Sequence, residues 1–75
     1  EFLSKDKDYY ILISVAENQS TPEYILEKLS NDEKEIVRSY VALNLGTPEY
    51  ILNKLSNDKD KYVRKSATRN QNWKK

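Results

Sequence analysis

The segment Thr21-Pro-Glu-Tyr-Ile-Leu-Glu-Lys-Leu-Ser-Asn-Asp32 recurs, with one change, as Thr47-Pro-Glu-Tyr-Ile-Leu-Asn-Lys-Leu-Ser-Asn-Asp58, 26 residues further along the chain. The same offset toward the N-terminus aligns Leu3-Ser-Lys-Asp6 with Leu29-Ser-Asn-Asp32. Self-similarity at a fixed period of this length is typical of repeat proteins, whose units stack on one another. The sequence therefore predicts a single repeat domain, residues 1–75, with a partial unit at 1–20, full units at 21–46 and 47–72, and a tail at 73–75.

The first half of each full unit predicts a short helix. Thr21 is a suitable N-cap, Pro22 suits the first helical position, and the carboxylate of Glu23 complements the helix dipole. A helix of about eight residues is expected there, with α and 3₁₀ geometry both open because so short a segment satisfies either period. Its apolar residues have the spacing of one buried helical face: Ile25, Leu26 and Leu29, with Ile51, Leu52 and Leu55 in the next unit.

The second half of each unit predicts a longer helix after the break at Ser30-Asn31-Asp32. We expect this helix to start at Glu33, because Asp32 and Glu35 have the spacing of a capping box. Its core-facing stripe is predicted to contain Ile36, Val37, Tyr40 and Val41, with the equivalents Tyr10, Ile11, Ser14 and Val15 in the first unit and Tyr62, Val63, Ser66 and Ala67 in the third.

An asparagine recurs near the end of each longer helix, as Asn18, Asn44 and Asn70. Asn44 and Gly46 are expected to close their helix, since both residue types tolerate the left-handed conformation. An asparagine amide can also pair with the carbonyl and amide groups of an adjoining turn, so these side chains are predicted to be partly buried between units. A ladder of asparagines that binds a ligand is the functional alternative.

These positions together resemble the variant leucine-rich repeat family, whose units carry Val-Arg, Val-Ala, Asn and Thr-Pro in this order. The second unit has Val37-Arg38, Val41-Ala42, Asn44 and Thr47-Pro48, and the third has Val63-Arg64, Ala67-Thr68 and Asn70. The resemblance implies an all-α, right-handed α-solenoid, related in construction to HEAT and armadillo repeats, without strands. It transfers no catalytic residue. The first unit departs from the pattern because Leu12 replaces the arginine.

The recurring charged residues suggest contacts between units. Arg38 and Arg64 are expected to pair with Asp32 or Asp58, because a guanidinium donates several hydrogen bonds in a fixed fork. A row of arginines that binds a ligand is the alternative, and Leu12 opposes it by interrupting the row. The recurring tyrosines are expected to pack in the core, with a tyrosine-lined binding face as the alternative.

The composition restricts the possible functions. The 75-residue chain has no Cys and no His, which removes disulfides, thiolate nucleophiles and the commonest general base and metal ligand. We therefore predict a non-enzymatic protein without a cofactor or a metal. No apolar run approaches the roughly 20 residues that span a bilayer, and the N-terminus does not resemble a signal peptide, which predicts a soluble, cytoplasmic protein. The absence of an initial Met suggests a fragment of a longer protein.

The charges are divided unevenly along the chain. Residues 1–46 carry five basic and nine acidic side chains, a net charge of −4, and residues 47–75 carry eight basic and three acidic side chains, a net charge of +5. The leading hypothesis is a scaffold for an unknown protein or peptide partner. The alternative is nucleic-acid binding by the basic third unit, and a structural spacer is a third possibility. The candidate partner-binding residues are Lys61, Lys65, Arg69 and Trp73, although Trp73 is also a candidate cover for the end of the stack.

Overall fold

The computed structural model describes the backbone of residues 2–74 and the side chains of residues 9–74. It contains five α-helices and, within residues 2–74, no strand. They are α1 (Phe2–Glu17), α2 (Glu23–Leu29), α3 (Glu35–Leu43), α4 (Glu49–Leu55) and α5 (Lys61–Arg69). The prediction of an all-α protein is confirmed, and the short helices α2 and α4 are α-helical over seven residues each.

The helices form two layers. Helix α3 lies between α1 and α5 in one layer, and the short helices α2 and α4 pack on these longer helices from the other side. The fold measures 42 × 26 × 15 Å along its principal axes. Hydrogen bonds between side chains connect α4 to α2 and to the turn after it. The Tyr50 hydroxyl donates to Glu23 over 2.7 Å, and Lys54 donates to Asn31 over 2.7 Å.

The core lies between the two layers and contains most of the apolar residues that the sequence assigns to it. The prediction is confirmed for the fully or almost fully buried side chains of Leu26, Leu29, Val37, Val41, Ile51, Leu52, Leu55, Val63 and Ala67. Ile25 is only half-buried, because it lies at the edge of the cluster. Removal of this apolar surface from water is the main force that holds the layers together.

The core-facing stripe predicted for the longer helices is wrong at its outer edge, where the side chains are exposed. Tyr10 is 66% exposed and Ile11 is 60% exposed, because no described element covers that side of α1. Ser14 and Tyr62 are exposed as well, and Ile36 lies at the rim. Tyr24 and Tyr50 project from the short helices into solvent, so only Tyr9 and Tyr40 contribute to the core.

The side chains at the break between the two helices of a unit make the same contacts in both full units. The Ser30 hydroxyl donates to the Glu27 carbonyl over 2.6 Å, and the Ser56 hydroxyl donates to the Asn53 carbonyl over 2.7 Å. The amides of Asn31 and Asn57 donate to the same two carbonyls. These bonds satisfy carbonyl groups that a helix end leaves without partners, which explains why the short helix stops there.

The expected N-cap of the short helix is wrong. The Thr21 hydroxyl donates to the carbonyl of Val15 over 2.6 Å, and the Thr47 hydroxyl donates to that of Val41 over 2.7 Å. Each threonine therefore caps the C-terminal end of the preceding longer helix. Pro22 occupies the N-cap position of α2, and no side chain caps it.

The expected capping box is also absent, and α3 begins at Glu35 rather than at Glu33. The Asp32 carboxylate accepts from the amide of Lys34, which stabilises a turn two residues before the helix. In the third unit the N-cap is Asp60, whose carboxylate accepts from the amides of Tyr62 and Val63. The second unit has Lys34 at that position and therefore lacks the cap.

The left-handed closure predicted at Asn44 and Gly46 does not occur, since no described residue has a positive φ. Asn44 is extended instead, and its side-chain oxygen accepts from the Gly46 amide over 2.7 Å. Gly46 is required for a different reason. A Cβ at this position would lie 2.8 Å from the carbonyl oxygen of Gln19, so only glycine permits this close approach of two turns.

The first unit departs from the repeat at its start. The 26-residue offset would place a break at Leu3-Ser-Lys-Asp6, yet α1 continues through these residues from Phe2 to Glu17. The sequence there has Lys5 where the full units have an asparagine that caps the preceding helix. Lysine has a higher helix propensity than asparagine, which favours continuation of the helix.

Truncation of the core should unfold this small protein. We expect Leu52→Ala to lower the free energy of unfolding by about 2–5 kcal/mol, because Leu52 is fully buried and the cavity would remain partly unfilled. Thermal melting followed by far-ultraviolet circular dichroism measures the loss. Tyr24→Ala, in an exposed side chain, is the matched control and should change the melting temperature little. A cooperative melt of Leu52→Ala at the wild-type temperature would contradict the core assignment.

Candidate functional site

The basic residues of α5 form the first surface with functional potential. Lys61, Arg64, Lys65 and Thr68 lie at helical spacing along one side of α5, and together with Ser56 they line an open groove. We call this surface the α5 face. No acidic side chain lines it, and its three cations create a local positive potential.

The structure brings together only some of the residues that the sequence singles out. Lys61 and Lys65 lie on the α5 face, whereas Arg69 is exposed at the end of the helix and does not line the groove. Trp73 is half-buried against the core, and its indole Nε1 donates to the Asn53 side chain over 3.1 Å. This position leaves less of the ring available to a partner.

Arg38 and Asp58 form a buried ion pair between the second and third units. The Arg38 Nε lies 2.8 Å from Asp58 Oδ2, and Nη2 lies 3.0 Å from Oδ1, so the contact is bidentate. The Arg38 Nη1 also donates to the carbonyls of Asp32, over 2.8 Å, and Glu33, over 3.2 Å. Arg38 is only 6% exposed. Its donors are thus engaged inside the protein, which argues against its participation in an arginine row that binds a ligand.

The ion pair shifts the pKa values of both partners. Burial alone would raise the pKa of Asp58, but the hydrogen bonds from Arg38 and from the Asp60 amide outweigh this effect and lower the pKa below its ordinary value. The hydrogen bond to Asp58 raises the pKa of Arg38. Both shifts favour the charged forms, so the pair is fully ionised at neutral pH.

Arg64 repeats the hydrogen bond of Arg38 to a backbone carbonyl but lacks the ion pair. Its Nη1 donates to the Asp58 carbonyl over 2.7 Å, as Arg38 donates to the Asp32 carbonyl. Unlike Arg38, Arg64 is exposed and makes no ion pair with a described carboxylate. The sequence-based expectation of an ion pair between units therefore applies to Arg38 with Asp58. It does not apply to Arg64, and Asp32 contributes its carbonyl to Arg38 rather than its carboxylate.

The recurring asparagines connect neighbouring units. The Asn44 amide donates to the carbonyls of Ala16, over 2.7 Å, and Asn18, over 3.0 Å. The Asn70 amide donates to the equivalent carbonyls of Ala42 and Asn44, over 2.9 Å each. Asn44 and Asn70 are buried, and their side-chain oxygens accept from amides two residues later. These contacts match the packing role expected from the sequence and occupy the groups that a ligand would need.

Asn18 is exposed and differs from its two equivalents. Its side-chain oxygen accepts from the Ser20 amide over 2.8 Å, as its counterparts do. Its amide group has no hydrogen bond to a described residue, while the backbone carbonyl of Asn18 receives the bond from Asn44. Among the described residues, Asn18 is therefore connected to the following unit through its backbone carbonyl and not through its side chain.

A second surface, which the sequence interpretation missed, lies between the ends of α1 and α3. Glu17, Gln19, Tyr40, Leu43, Asn44 and Leu45 line it, and we call it the leucine groove. Leu43 is 54% exposed and Leu45 is 47% exposed. One feature of the sequence could have revealed this groove. Both leucines lie outside the predicted core-facing stripe, and the equivalent residues of the other units are polar.

The described residues contain no group of three or more His, Cys, Asp or Glu side chains that could hold a metal ion. Every buried side-chain nitrogen or oxygen in residues 9–74 has a hydrogen-bond partner. Among the helices in the described part of the chain, none is sufficiently long and apolar to cross a membrane.

No protein-family model matches this chain, and no curated protein or solved structure matches it significantly. The resemblance to the variant leucine-rich repeat family therefore stays a prediction from the residues quoted above.

The Arg38–Asp58 pair should make stability depend on pH in the acid range. The folded-state pKa of Asp58 is lower than its ordinary value of 3.8. Its carboxylate therefore contributes stability above that pH, and the contribution is lost as the pH falls through the folded-state pKa. Asp58→Asn should cost about 3–5 kcal/mol at pH 7, because Arg38 remains buried without its partner, and less as the pH falls below about 4.

Urea denaturation at several pH values measures both effects. Asp32→Asn is the matched control, since the carboxylate of Asp32 accepts only from a backbone amide, and we expect a smaller loss. A difference between wild type and Asp58→Asn that stays constant from pH 7 to pH 2 would show that the pair does not act through its charges.

Proposed function

We propose that this chain is a segment of a right-handed α-solenoid of the variant leucine-rich repeat type and that it serves as a non-enzymatic scaffold for a protein or peptide partner. The units are 21–46 and 47–72, preceded by the partial unit 1–20. The observation that carries the proposal is the repetition of contacts at a 26-residue offset. Asn70 bonds to Ala42 and Asn44 as Asn44 bonds to Ala16 and Asn18.

This repetition supports a scaffold because it explains the recurring polar residues by the stacking of units. Each unit of a solenoid contacts its neighbours, and the extended surface that results is available for binding. The buried amides and the Arg38 fork are fully used within the protein. Function then depends on side chains that are exposed and are not required for stacking, which directs attention to the leucine groove and the α5 face.

The leucine groove supports a peptide as the partner. Leu43 and Leu45 offer apolar surface beside the half-buried ring of Tyr40, and the one charged residue that lines the groove is Glu17. We infer a segment of another protein with an apolar side chain next to a basic one. The apolar side chain would be removed from water on the leucines, and the basic group would lie near Glu17.

Selection from a random peptide library displayed on phage would test this function. We expect enriched peptides to share an apolar residue adjacent to Lys or Arg. The double variant Leu43→Ser, Leu45→Ser should weaken their binding at least tenfold, because it removes the exposed apolar contacts. Tyr24→Ser, which changes an exposed aromatic residue on the short-helix layer, is the matched control. Peptides without a consensus, or equal binding to both variants, would refute the proposal for this groove.

Nucleic-acid binding through the α5 face is the alternative function, and the clustering of Lys61, Arg64 and Lys65 supports it. Lysine and arginine side chains that neutralise phosphates release counterions, so such binding falls steeply with salt. Tyr62 is exposed next to these cations, and the Lys61 ammonium lies 5.9 Å from the centre of its ring. A base could stack on this tyrosine.

Fluorescence anisotropy with labelled mixed-sequence single-stranded and double-stranded oligonucleotides would test the alternative. If it is correct, binding should weaken at least tenfold between low and physiological salt, because phosphate contacts compete with counterions. The triple variant Lys61→Glu, Lys65→Glu, Arg69→Glu should abolish it. Absence of binding at low salt would eliminate the alternative for this chain.

A further inference from the structure

We propose that the exposed edge of the Arg64 guanidinium is a carboxylate-binding site for an acidic segment of another protein, with two aspartates separated by one residue. This inference rests on the scaffold function proposed above. It adds a second contact surface, away from the leucine groove, and states the chemistry that this surface recognises.

Arg38 is the precedent for this site, because an arginine at the equivalent position of the preceding unit binds a carboxylate within the fold. One nitrogen, Nη1, is anchored on the carbonyl of Asp32, over 2.8 Å. The other edge, Nε and Nη2, then points to the next unit and holds both oxygens of Asp58, at 2.8 Å and 3.0 Å. The anchor thus sets the orientation of the edge that binds the carboxylate.

Arg64 repeats the shorter of the two Nη1 bonds of Arg38, 26 residues later. Its Nη1 donates to the Asp58 carbonyl over 2.7 Å, and Asp58 is the repeat equivalent of Asp32. The Nε and Nη2 of Arg64 donate to no residue between 9 and 74. Because the anchor already restricts the side chain, a ligand would lose less conformational entropy on binding than with a freely rotating arginine.

The surroundings of Arg64 favour a ligand with more than one negative charge. Lys61 and Lys65 also line the groove, Ser56 and Thr68 supply hydroxyls, and no carboxylate lines it. The turn that binds Arg38 suggests the form of the ligand. Its Asp58 holds the arginine, and Asp60, two residues later, places a second carboxylate nearby while it caps α5. In a partner of this form one aspartate would bind the Arg64 fork, and the second would lie near a lysine.

A carboxylate explains the geometry better than a nucleic-acid phosphate does. Arginine binds both groups bidentately, so charge alone does not distinguish them. The protein itself provides a carboxylate precedent, however, in which an arginine anchored on the equivalent carbonyl holds Asp58 through both oxygens. Nucleic acid therefore enters the test as the competing outcome.

Nuclear magnetic resonance of the ¹⁵N-labelled protein tests the site directly, because the Arg64 Nε–H group has its own signal. The probe is an acetylated and amidated hexapeptide, Ser-Asn-Asp-Ser-Asp-Ala, which follows residues 56–61 with serine in place of Lys59 and alanine in place of Lys61. The control peptide has asparagine at both aspartate positions. A thymidine decanucleotide provides the phosphate arm. We expect the Arg64 signal to shift with the acidic peptide and to stay unchanged with its asparagine counterpart.

Three variants distinguish specific binding at Arg64 from nonspecific attraction to the positive charge of α5. Arg64→Gln should raise the Kd of the acidic peptide about tenfold, because charged hydrogen bonds are lost. Arg64→Lys should also raise it several-fold, since lysine keeps the charge without the planar fork. Arg69→Gln removes the same charge from an exposed residue outside the groove and should change the Kd less than twofold. Arg64→Lys also serves as the decisive variant if Arg64→Gln does not fold.

Each of the following results would overturn the proposal. Equal loss in Arg64→Gln and Arg69→Gln, or wild-type binding by Arg64→Lys, would indicate nonspecific attraction to the basic helix. Tighter binding of the decanucleotide through Arg64 would assign the face to nucleic acid. No shift with millimolar peptide would remove the site. None of these results bears on the leucine groove, so the scaffold function would stand or fall by the peptide selection alone.

Discussion

The carbonyl groups at the end of each longer helix have no partners in their own helix, and the rest of the structure depends on how they are satisfied. The Asn44 amide reaches back to the carbonyls of Ala16 and Asn18, and the Asn70 amide reaches those of Ala42 and Asn44. An unpaired buried carbonyl is costly. One unit therefore depends on the next, and the register between units is set by hydrogen bonds as well as by apolar packing.

The Arg38–Asp58 pair adds a second constraint on the register, near the opposite ends of the longer helices. Its bidentate geometry admits one relative position of the two units, whereas a purely apolar contact would tolerate small shifts. The two constraints use the buried asparagines and the buried arginine among the recurring polar residues. Other positions differ between units and lie on the surface. Leu43, for example, is equivalent to Glu17 and Arg69. The leucine groove that we propose as a binding surface is formed at such positions.

Much of this fold was predictable from the repeat because helical spacing identifies buried positions without knowledge of the tertiary structure. Leu26, Leu52 and Val37 are examples. Predictions that depended on a single local motif were less successful. Thr21 looked like an N-cap but donates to the helix before it, since its hydroxyl lies next to a carbonyl six residues earlier in the chain. Asp32 accepts from the nearby Lys34 amide, so the expected capping box does not form.

The features of the candidate site were likewise predictable only in part. The sequence by itself determined the helical class, the 26-residue period, the core positions and the basic charge of the third unit, because these follow from residue type and spacing. Only the tertiary structure decided that Trp73 packs on the core, that Leu43 and Leu45 line a groove with Glu17, and that Arg38 is occupied while Arg64 is exposed. These properties depend on which neighbour lies beside a side chain after folding, and two residues of identical type at equivalent positions can have different neighbours.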